Sequence, residues 1–586
     1  MNRKLNVILE KIKILVFNYP LVLLMSLATT IIIIYSIETE PSKDNGYILF
    51  KLGIIFSLGI SSQFALKIIS QRIKHGILWQ IAGLLFLIGF YFIFPKNEVN
   101  FTEYYAYIIV PSFILSHLLV AFIAFIKKEN SEQNFWQYNK NLFINLFLTG
   151  VFTAVLTGGV ELAILAVQEL FNYNFDTKIY PETFVALSIF GSTFIFLLFN
   201  ESGLDYLEKE GTYPVVLKFF TQFILIPLLI IYLVILYFYC EKIILNEQLP
   251  RGWVSYLVLA YSIVGILALL LVHPLKKEKA KSWVIIFNKI FYYTLIPLIA
   301  LLFIAIFTRV LQYGYTEARY FVLLISIWLT SVVLYFVFFK KGTIKFIPIS
   351  LFLFGLFALI FPYLNAFSVA KRSQEKELMQ ILTENKLIVN GKIDFKKTIV
   401  DTVKYEVEGK FEFLSKRFDK DYLKTFLDDK TKAKVDLDKY WYSDLFKNIK
   451  FTEKEEHNYY VRIYSNRNTY EIQDYQYLLK SEYGGNLESN INKDKIKIMN
   501  SFGGSNTTFE ISINDKTKDI MPLIKEFCSM YKNASKDVSI DDLSLNIELD
   551  KYKIRIIFDS INWNKSDNTY NFNDITYLVK LKTLKQ

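Results

Sequence analysis

Residues 215–239 read VVLKFFTQFILIPLLIIYLVILYFY and contain one charged residue, Lys218. An apolar stretch of this length is what a helix needs to cross the roughly 30 Å hydrocarbon core of a bilayer. Ten similar stretches lie between residues 14 and 363, so the sequence predicts an α-helical polytopic membrane protein with about eleven transmembrane helices. The predicted spans are 14–36, 48–69, 77–95, 104–126, 142–170, 181–200, 215–239, 253–273, 285–308, 320–339 and 344–363.

Beyond residue 370 no apolar stretch is long enough to cross a membrane. Apolar residues first recur at spacings of three and four from Val400 to Phe418, the pattern of one apolar helix face. From residue 436 onward, aromatic and β-branched residues alternate with polar ones, which is typical of strands. We therefore predict a multi-pass transmembrane domain at 1–370, a helical connector at 371–435, and a soluble α+β, mostly β-rich domain at 436–586.

Positive charge is unevenly divided between the two ends of the predicted spans. The N-terminus and the loops on its side carry sixteen Lys and Arg residues, whereas the alternate loops carry seven. Cytoplasmic loops of membrane proteins are enriched in Lys and Arg. This pattern predicts a cytoplasmic N-terminus, and eleven crossings then put the C-terminal domain on the extracytoplasmic side, the periplasm in a host with two membranes.

The composition argues against several classes of function. Residues 371–586 carry 38 Lys and Arg against 35 Asp and Glu, with no basic stripe, so we expect no nucleic-acid partner. The two cysteines and four histidines show no spacing typical of zinc or a disulfide framework. The sequence also lacks a phosphate-binding loop and a nucleophile motif, so it predicts no catalytic residue, metal or cofactor and favours a protein that is not an enzyme.

The fifth span contains two parallel rows of residues at four-residue steps. The small-residue row is Gly150, Ala154 and Gly158, and the polar row is Thr149, Thr153, Thr157 and Glu161. Small residues at this spacing favour close helix packing, with the threonines bonding across the contact. An ionisable residue inside a span instead points to a cavity or a partner, and we place Glu161 near the outer membrane boundary.

Two further polar clusters are predicted to face the same outer side as Glu161. One is the loop from Arg309 to Tyr320, and the other runs from Leu249 to Trp253. Interfacial anchoring by Tyr, Trp and Arg is the alternative interpretation of both. The candidates for an outward-facing polar site are Glu161, Glu169, Arg251, Trp253, Arg309, Tyr313, Glu317, Arg319 and Tyr320.

The loop residues 312–320, reading QYGYTEARY, and residues 249–255, reading LPRGWVS, each precede an apolar span. In this order they resemble signatures of a bacterial membrane family known as domain of unknown function 4153. The resemblance covers roughly residues 15–370 and, more loosely, the tail. It implies a bacterial inner (plasma) membrane protein in which certain motif residues matter, without implying an activity. These residues are Arg251, Arg309, Tyr313, Gly314, Thr316, Arg319 and Tyr320.

Three functions are compatible with this sequence. The first is a cell-envelope protein that presents its C-terminal domain outside the membrane to bind a protein, a lipid or a cell-wall component. The second is a transporter or lipid-handling protein with an outward-facing cavity around Glu161. The third is a membrane glycosyltransferase-like transferase that uses a lipid-linked donor, with acidic residues Glu38, Glu40 and Asp44 in the first outer loop. All three imply contact with membrane lipids.

Overall fold

A computed structural model of the chain shows two compact units, Met1–Asp394 with Tyr405–Ile449, and Phe395–Lys404 with Lys450–Gln586. The first unit is helical and the second consists largely of β-strands. The structure describes residues 2–39, 43–73, 76–126, 131–209, 214–246, 253–273, 282–339, 342–399, 401–417, 419–432, 452–453, 460–465, 472–481, 486–501, 508–530, 536–539, 541–564 and 569–582.

In the described part of the chain, nine helices are long and apolar enough to cross a membrane, and two apolar helices are shorter. The architecture predicted for a helical membrane protein with a β-rich C-terminal domain is therefore confirmed. Two further helices of the same region are α1 (Asn2–Asn18) and α8 (Leu204–Leu207). The eleven apolar helices are α2 (Pro20–Thr39), α3 (Lys43–Ser70), α4 (Gly76–Tyr91), α5 (Ala106–Phe122), α6 (Glu132–Phe171), α7 (Ile179–Phe199), α9 (Leu217–Ile243), α10 (Trp253–Val272), α11 (Ser282–Tyr313), α12 (Glu317–Phe338) and α13 (Phe346–Ile360).

Several boundaries differ from the predicted spans. The first span begins at Pro20 instead of residue 14, because proline lacks the backbone N–H that would continue the preceding helix. Helix α6 has 40 residues and begins ten positions before the predicted start of the fifth span. The apolar stretch at 344–363 yields a helix of only 15 residues, which ends before Pro362. Apolar length therefore located the spans, whereas prolines and polar helix ends set their limits.

Hydrogen bonds connect the loops at one end of the helices, which we call the N-terminal face. The Tyr19 hydroxyl donates to the Asn200 carbonyl at 2.9 Å, and the Trp136 indole N–H donates to the Leu270 carbonyl at 2.7 Å. The Leu204 amide donates to Gln71 at 2.9 Å. These contacts bring together the start of α2, the α3–α4 connection, the start of α6, the α7–α9 connection and the end of α10.

A second set of contacts defines the opposite end, which we call the motif face because it includes residues 309–320. The Tyr47 hydroxyl donates to the Pro95 carbonyl at 3.0 Å, and the Tyr320 hydroxyl donates to the Leu364 carbonyl at 2.5 Å. Lys178 donates to the carbonyl of Glu38 at 3.1 Å. The short apolar helices α4 and α13 also lie between these two sets of contacts.

Several apolar clusters hold the described part of the bundle together, and two of them contain most of its clustered buried residues. One is formed mainly by α9 to α12, where Phe291, Leu298, Trp328 and Val332 are buried. The other joins the starts of α2 and α6 to parts of α3, α5 and α7. Within the first core, Phe291 lies so close to Gly265 that a Cβ there would approach its ring to 2.2 Å. A glycine is therefore needed where α10 meets α11.

Most of the helical connector belongs to the first unit, apart from residues 395–404. It comprises α14 (Ala366–Glu384), α15 (Asp401–Ser415), α16 (Lys420–Thr425) and α17 (Asp429–Lys432), with a small hairpin of β1 (Ile388–Val389) and β2 (Lys392–Ile393). Helix α15 confirms the apolar face predicted from residue spacing, since Val407, Phe411 and Leu414 are fully buried. Residues 433–449 lie outside the described part of the chain.

In the residues that the structure describes, the second unit contains three four-stranded sheets, in the orders β10-β9-β8-β7, β11-β5-β14-β15 and β12-β13-β16-β6, and a β3-β4 pair. The sheets and helix α18 (Met521–Ser529) share one apolar core that includes Phe509, Tyr552 and Tyr577. The strands are β3 (Thr398–Ile399), β4 (Thr452–Glu453), β5 (Tyr460–Tyr464), β6 (Tyr477–Ser481), β7 (Leu487–Ile491), β8 (Asp494–Ser501), β9 (Thr508–Ile513), β10 (Lys516–Asp519), β11 (Lys536–Asp537), β12 (Ser544–Leu549), β13 (Tyr552–Phe558), β14 (Ser560–Asn564), β15 (Thr569–Phe572) and β16 (Ile575–Leu581).

Asp494 forms a polar junction in the second unit. Its carboxylate accepts hydrogen bonds from the Tyr552 hydroxyl at 2.7 Å and the Asn514 amide at 3.0 Å, and Lys551 lies 2.8 Å away. Hydrogen bonds from Lys551, Asn514 and Tyr552 lower the pKa of Asp494 to about 2. The ionised carboxylate therefore connects the β7–β8 turn to β13.

We predict that Asp494→Asn weakens amide-exchange protection in β8 and β13 of the full-length protein at neutral pH. Because the folded pKa is depressed below the ordinary 3.8, the wild-type carboxylate stabilises the fold above about pH 4. That contribution is lost as pH falls towards 2, so the difference between wild type and variant should shrink there. The exposed Asp515→Asn variant is the matched control, and equal losses in both variants would contradict this role.

Candidate functional site

The loop between α11 and α12 makes a tight turn on the motif face. Gly314 has φ +72°, in the left-handed region that favours glycine. A Cβ at this position would also come within 2.8–2.9 Å of side chains on α14. Thr316 caps α12 by accepting a hydrogen bond from the amide of Arg319. The turn therefore requires both the glycine and the threonine of the motif.

Polar side chains of the connector complete the hydrogen bonding of this loop. Gln374 donates to the carbonyls of Tyr313 at 3.0 Å and Tyr315 at 2.7 Å, and the Tyr315 amide donates to Ser373 at 2.8 Å. Lys410 donates to Gln374 at 2.7 Å and to the Tyr313 carbonyl at 3.0 Å. Carbonyls at a helix C-terminus lack partners within the helix, so α14 and α15 supply donors that α11 needs.

Glu317, the first residue of α12, forms a buried ion pair with Arg417. The two carboxylate oxygens accept from the Nε and Nη2 atoms of Arg417, both at 2.8 Å. The exposed fraction is 1% for the Glu317 side chain and 5% for Arg417. Arg417 also lies 3.4 Å from Glu103 and stacks on the ring of Phe413. This bidentate geometry is the strong form of an arginine–carboxylate contact.

We call this group the clasp and define it by Tyr313, Gly314, Glu317, Gln374, Lys410 and Arg417. Its carboxylate sits at the N-terminus of α12, where the helix dipole favours negative charge. The clasp joins α11 and α12 to α14, to α15 and to Arg417, which follows α15. Nearby, the Thr102 hydroxyl donates a 2.8 Å hydrogen bond to the Lys416 carbonyl. The clasp therefore fixes the connector against the membrane helices.

Five of the predicted site residues come together here. Arg309 and Arg319 both lie over the ring of Tyr313, at 6.0 and 5.4 Å from its centroid, and Arg319 donates to the Gly314 carbonyl at 2.8 Å. Glu317 and Tyr320 are buried beside them. The arginines thus bind the loop itself, an arrangement that stabilises the turn.

The other predicted site residues lie elsewhere. Glu161 is in α6 and borders a separate cavity, whereas Glu169 is exposed two turns further along the same helix. Trp253 begins α10, and only its backbone is described. Arg251 lies outside the described residues. The structure therefore does not join Glu161 and Glu169 to the clasp.

Sequence reasoning missed the connector's share of the clasp. Gln374, Lys410 and Arg417 supply its donors, but none was a predicted site residue. One signal was present, because Arg417 follows Leu414 by three positions and extends the apolar face of α15. A charged residue at the end of an apolar helix face indicates a buried partner.

The cavity beside Glu161 has a volume of about 1050 Å³ and is bordered by α3, α5, α6 and α7. We call it the groove. Gly150, Ala154 and Gly158 line it, and a Cβ on either glycine would have no neighbouring atom within 4 Å among the described residues. The close helix contact predicted for this small-residue row is not present at these two glycines in the described structure.

A second ionisable group lies where α14 meets α16. Lys371 bridges Asp419 at 2.8 Å and Glu375 at 3.8 Å, and Tyr422 donates to the Glu375 carbonyl. Burial, followed by hydrogen bonding to the neighbouring Asp419, raises the pKa of Glu375 to about 7. Glu375 therefore keeps its proton at a pH where an exposed glutamate has lost it. No group of three His, Cys, Asp or Glu residues suited to a metal occurs among the described residues.

The family described as Domain of unknown function (DUF4153) matches residues 21–390, well over half of the sequence. The chain belongs to this family. It is also 27% identical over 225 residues to the Pasteurella multocida (strain Pm70) protein called "Uncharacterized protein PM1469", and the match spans 37% of each chain. No solved structure matches the chain significantly.

The DUF4153 match includes only part of the clasp. The loop around Gly314 and the Gln374 side chain fall inside residues 21–390, whereas Lys410 and Arg417 lie beyond them. The resemblance expected from the two loop motifs is confirmed at the family level. The clasp thus connects the matched membrane region of this DUF4153 protein to the segment that follows it.

We predict that Glu317→Gln lowers the free energy of unfolding of the DUF4153 protein by about 3–5 kcal/mol, because it leaves Arg417 buried without its counter-charge. The measurement is denaturant unfolding of the full-length protein in detergent micelles. Glu103→Gln is the control: this carboxylate is 56% exposed, and its loss should cost less than about 1 kcal/mol. A double variant, Glu317→Leu with Arg417→Met, should recover much of the loss. Equal effects of the two single variants would contradict the assignment.

We predict that the α14–α16 contact weakens as pH rises from about 4.5 to 7. The folded pKa of Glu375 is raised above its ordinary value of 4.5, so the folded state binds an extra proton within this window, and raising the pH removes that stabilisation. Amide exchange in 371–384 and 420–425, corrected for intrinsic rates, measures the effect. Glu375→Gln should remove the pH dependence. Glu384→Gln, which changes an exposed acid on the same helix, should preserve it.

Proposed function

We propose that this DUF4153 protein is a bacterial inner-membrane protein of the cell envelope that presents its C-terminal β-rich domain outside the cytoplasm for binding or scaffolding. The observation that carries the proposal is the clasp. A chain that only tethers a domain needs no ordered exit from the membrane, and flexible linkers are built from polar, Gly- or Ser-rich sequence. Here the exit is held by a buried ion pair and a hydrogen-bond network.

The energetic cost of the clasp supports this role. Burying two charges costs several kcal/mol per ion. Well-packed apolar residues at the same positions are often at least as stabilising as a buried ion pair. A buried ion pair instead specifies one geometry, because both partners must meet with correct orientation. We infer that the clasp serves to hold the connector in one arrangement on the motif face, from which the chain continues to the β-rich domain.

The side of the membrane follows from charge. The loops on the N-terminal face include most of the Lys and Arg residues that favour a cytoplasmic location. The N-terminus would then be cytoplasmic, and the motif face and the C-terminal domain would be extracytoplasmic. The proposed partner is an extracytoplasmic protein, lipid or cell-wall component, and no nucleic acid is expected. The lipid-handling alternative is favoured by one observation, the groove beside Glu161.

The proposal predicts which positions an impermeant thiol reagent reaches in intact spheroplasts. Single cysteines would replace Asn97 on the motif face, Asp205 on the N-terminal face and Asp515 in the β-rich domain, all exposed, in a background lacking Cys240 and Cys528. We expect labelling of the Asn97→Cys and Asp515→Cys variants, and labelling of the Asp205→Cys variant only after permeabilisation. Protection of Asp515→Cys together with labelling of Asp205→Cys would reverse the orientation and end the proposal.

A further inference from the structure

The groove extends across most of the membrane thickness. Its lining on α6 runs from Leu142 to Glu161, which at 1.5 Å per residue is roughly 28 Å. The hydrocarbon core of a bilayer is about 30 Å thick. Lys140 lies near the N-terminal face, and its separation from Glu161 along the helix is close to this bilayer thickness. Glu161 therefore lies at the level of lipid head groups when Lys140 lies at the opposite boundary.

Three polar atoms at the Glu161 end of the groove have no hydrogen-bond partner among the described residues. They are Thr153 Oγ1, Thr157 Oγ1 and Glu161 Oε1, which follow one another at four-residue steps on α6. Thr157 is only 8% exposed. Two other threonines of the groove donate within their own helices, Thr149 to the Asn145 carbonyl and Thr193 to the Ile189 carbonyl. An unsatisfied polar group in hydrocarbon costs several kcal/mol, so this end of the groove suits a polar ligand group.

The remaining wall is shaped for an apolar chain. Gly150, Ala154 and Gly158 leave the part of α6 nearest Glu161 open, and apolar residues such as Phe143, Leu146 and Phe196 line the rest of the groove. Across the groove, α7 contains a π-helical segment, Ala186–Gly191, and Ser188 of this segment borders the cavity. Single-turn π segments inside helices occur frequently at functional sites. The groove thus combines a mainly apolar lining with a polar end.

We propose that the groove binds a membrane lipid whose head group carries a primary ammonium. The acyl chain would lie along Gly150, Ala154 and Gly158, and the ammonium would donate to Glu161 and the hydroxyl of Thr157. An ammonium fits because a carboxylate accepts hydrogen bonds and carries the opposite charge. A second copy of this chain is a weaker match, since an apolar helix surface would leave these polar atoms unsatisfied. This inference does not depend on which face is cytoplasmic.

The test uses the full-length protein in nanodiscs of phosphatidylcholine and phosphatidylglycerol. A trace of phosphatidylethanolamine with a diazirine in its acyl chain is added and photolysed, and labelled peptides are identified by mass spectrometry. We expect labelling concentrated in residues 142–161. Unlabelled phosphatidylethanolamine should compete, whereas additional phosphatidylcholine should not. Glu161→Gln should lower labelling about tenfold, the effect of losing one charge-assisted hydrogen bond.

A matched pair of variants separates groove binding from general lipid contact. Gly158→Phe would fill the groove, whereas Gly89→Phe places the same side chain on α4, outside the groove, where a Cβ also has open space. We expect Gly158→Phe to abolish the specific labelling and Gly89→Phe to leave it intact.

Three outcomes would overturn the proposal. One is labelling that spreads over the exposed apolar faces and does not respond to Gly158→Phe. Another is equal labelling by a phosphatidylcholine probe that does not respond to Glu161→Gln. The third is disulfide-linked dimers of a Gly158→Cys variant formed at the expense of lipid labelling, which would show that a second copy covers the groove. Competition in the wild-type protein keeps the test valid if a variant fails to fold.

Discussion

The ion pair between Glu317 and Arg417 joins two residues that are 100 positions apart, and the exit of the chain from the membrane helices is organised around it. Neither charge would be stable alone in this buried position. Once they pair, the first turn of α12 and the end of α15 are fixed together. Gln374 and Lys410 then lie where they can supply the carbonyls at the end of α11.

The same constraint explains the composition of the loop before α12. Gly314 is required by its positive φ and by the closeness of α14, and Thr316 is required as the helix cap. Arg309 and Arg319 stack on Tyr313 and so keep the turn closed against the connector. The family motif is therefore understood as the membrane half of a contact whose other half, at Lys410 and Arg417, follows the matched region.

The clasp and the groove use polar groups in opposite ways. In the clasp, nearly every buried donor and acceptor finds a partner within the chain, which favours a fixed structural role. In the groove, Thr153, Thr157 and Glu161 each have an atom without a hydrogen-bond partner in the described part of the chain. A fully satisfied network makes an arrangement rigid, whereas unsatisfied atoms beside an apolar channel favour recognition of a molecule from outside the chain.

The sequence by itself determined those features that depend on the pattern of neighbouring residues. Apolar length located the membrane helices, spacing of three and four residues identified α15, and alternation identified β-rich structure in the tail, because each property depends on neighbouring residues. Tertiary structure alone decided which polar residues meet. Glu317 was a candidate from its loop, but Arg417 could not be assigned to it across 100 residues. Likewise, the small-residue row of α6 predicted packing, and only the positions of α3, α5 and α7 showed that it borders a groove. Contacts between distant segments depend on how whole helices pack, which no local spacing encodes.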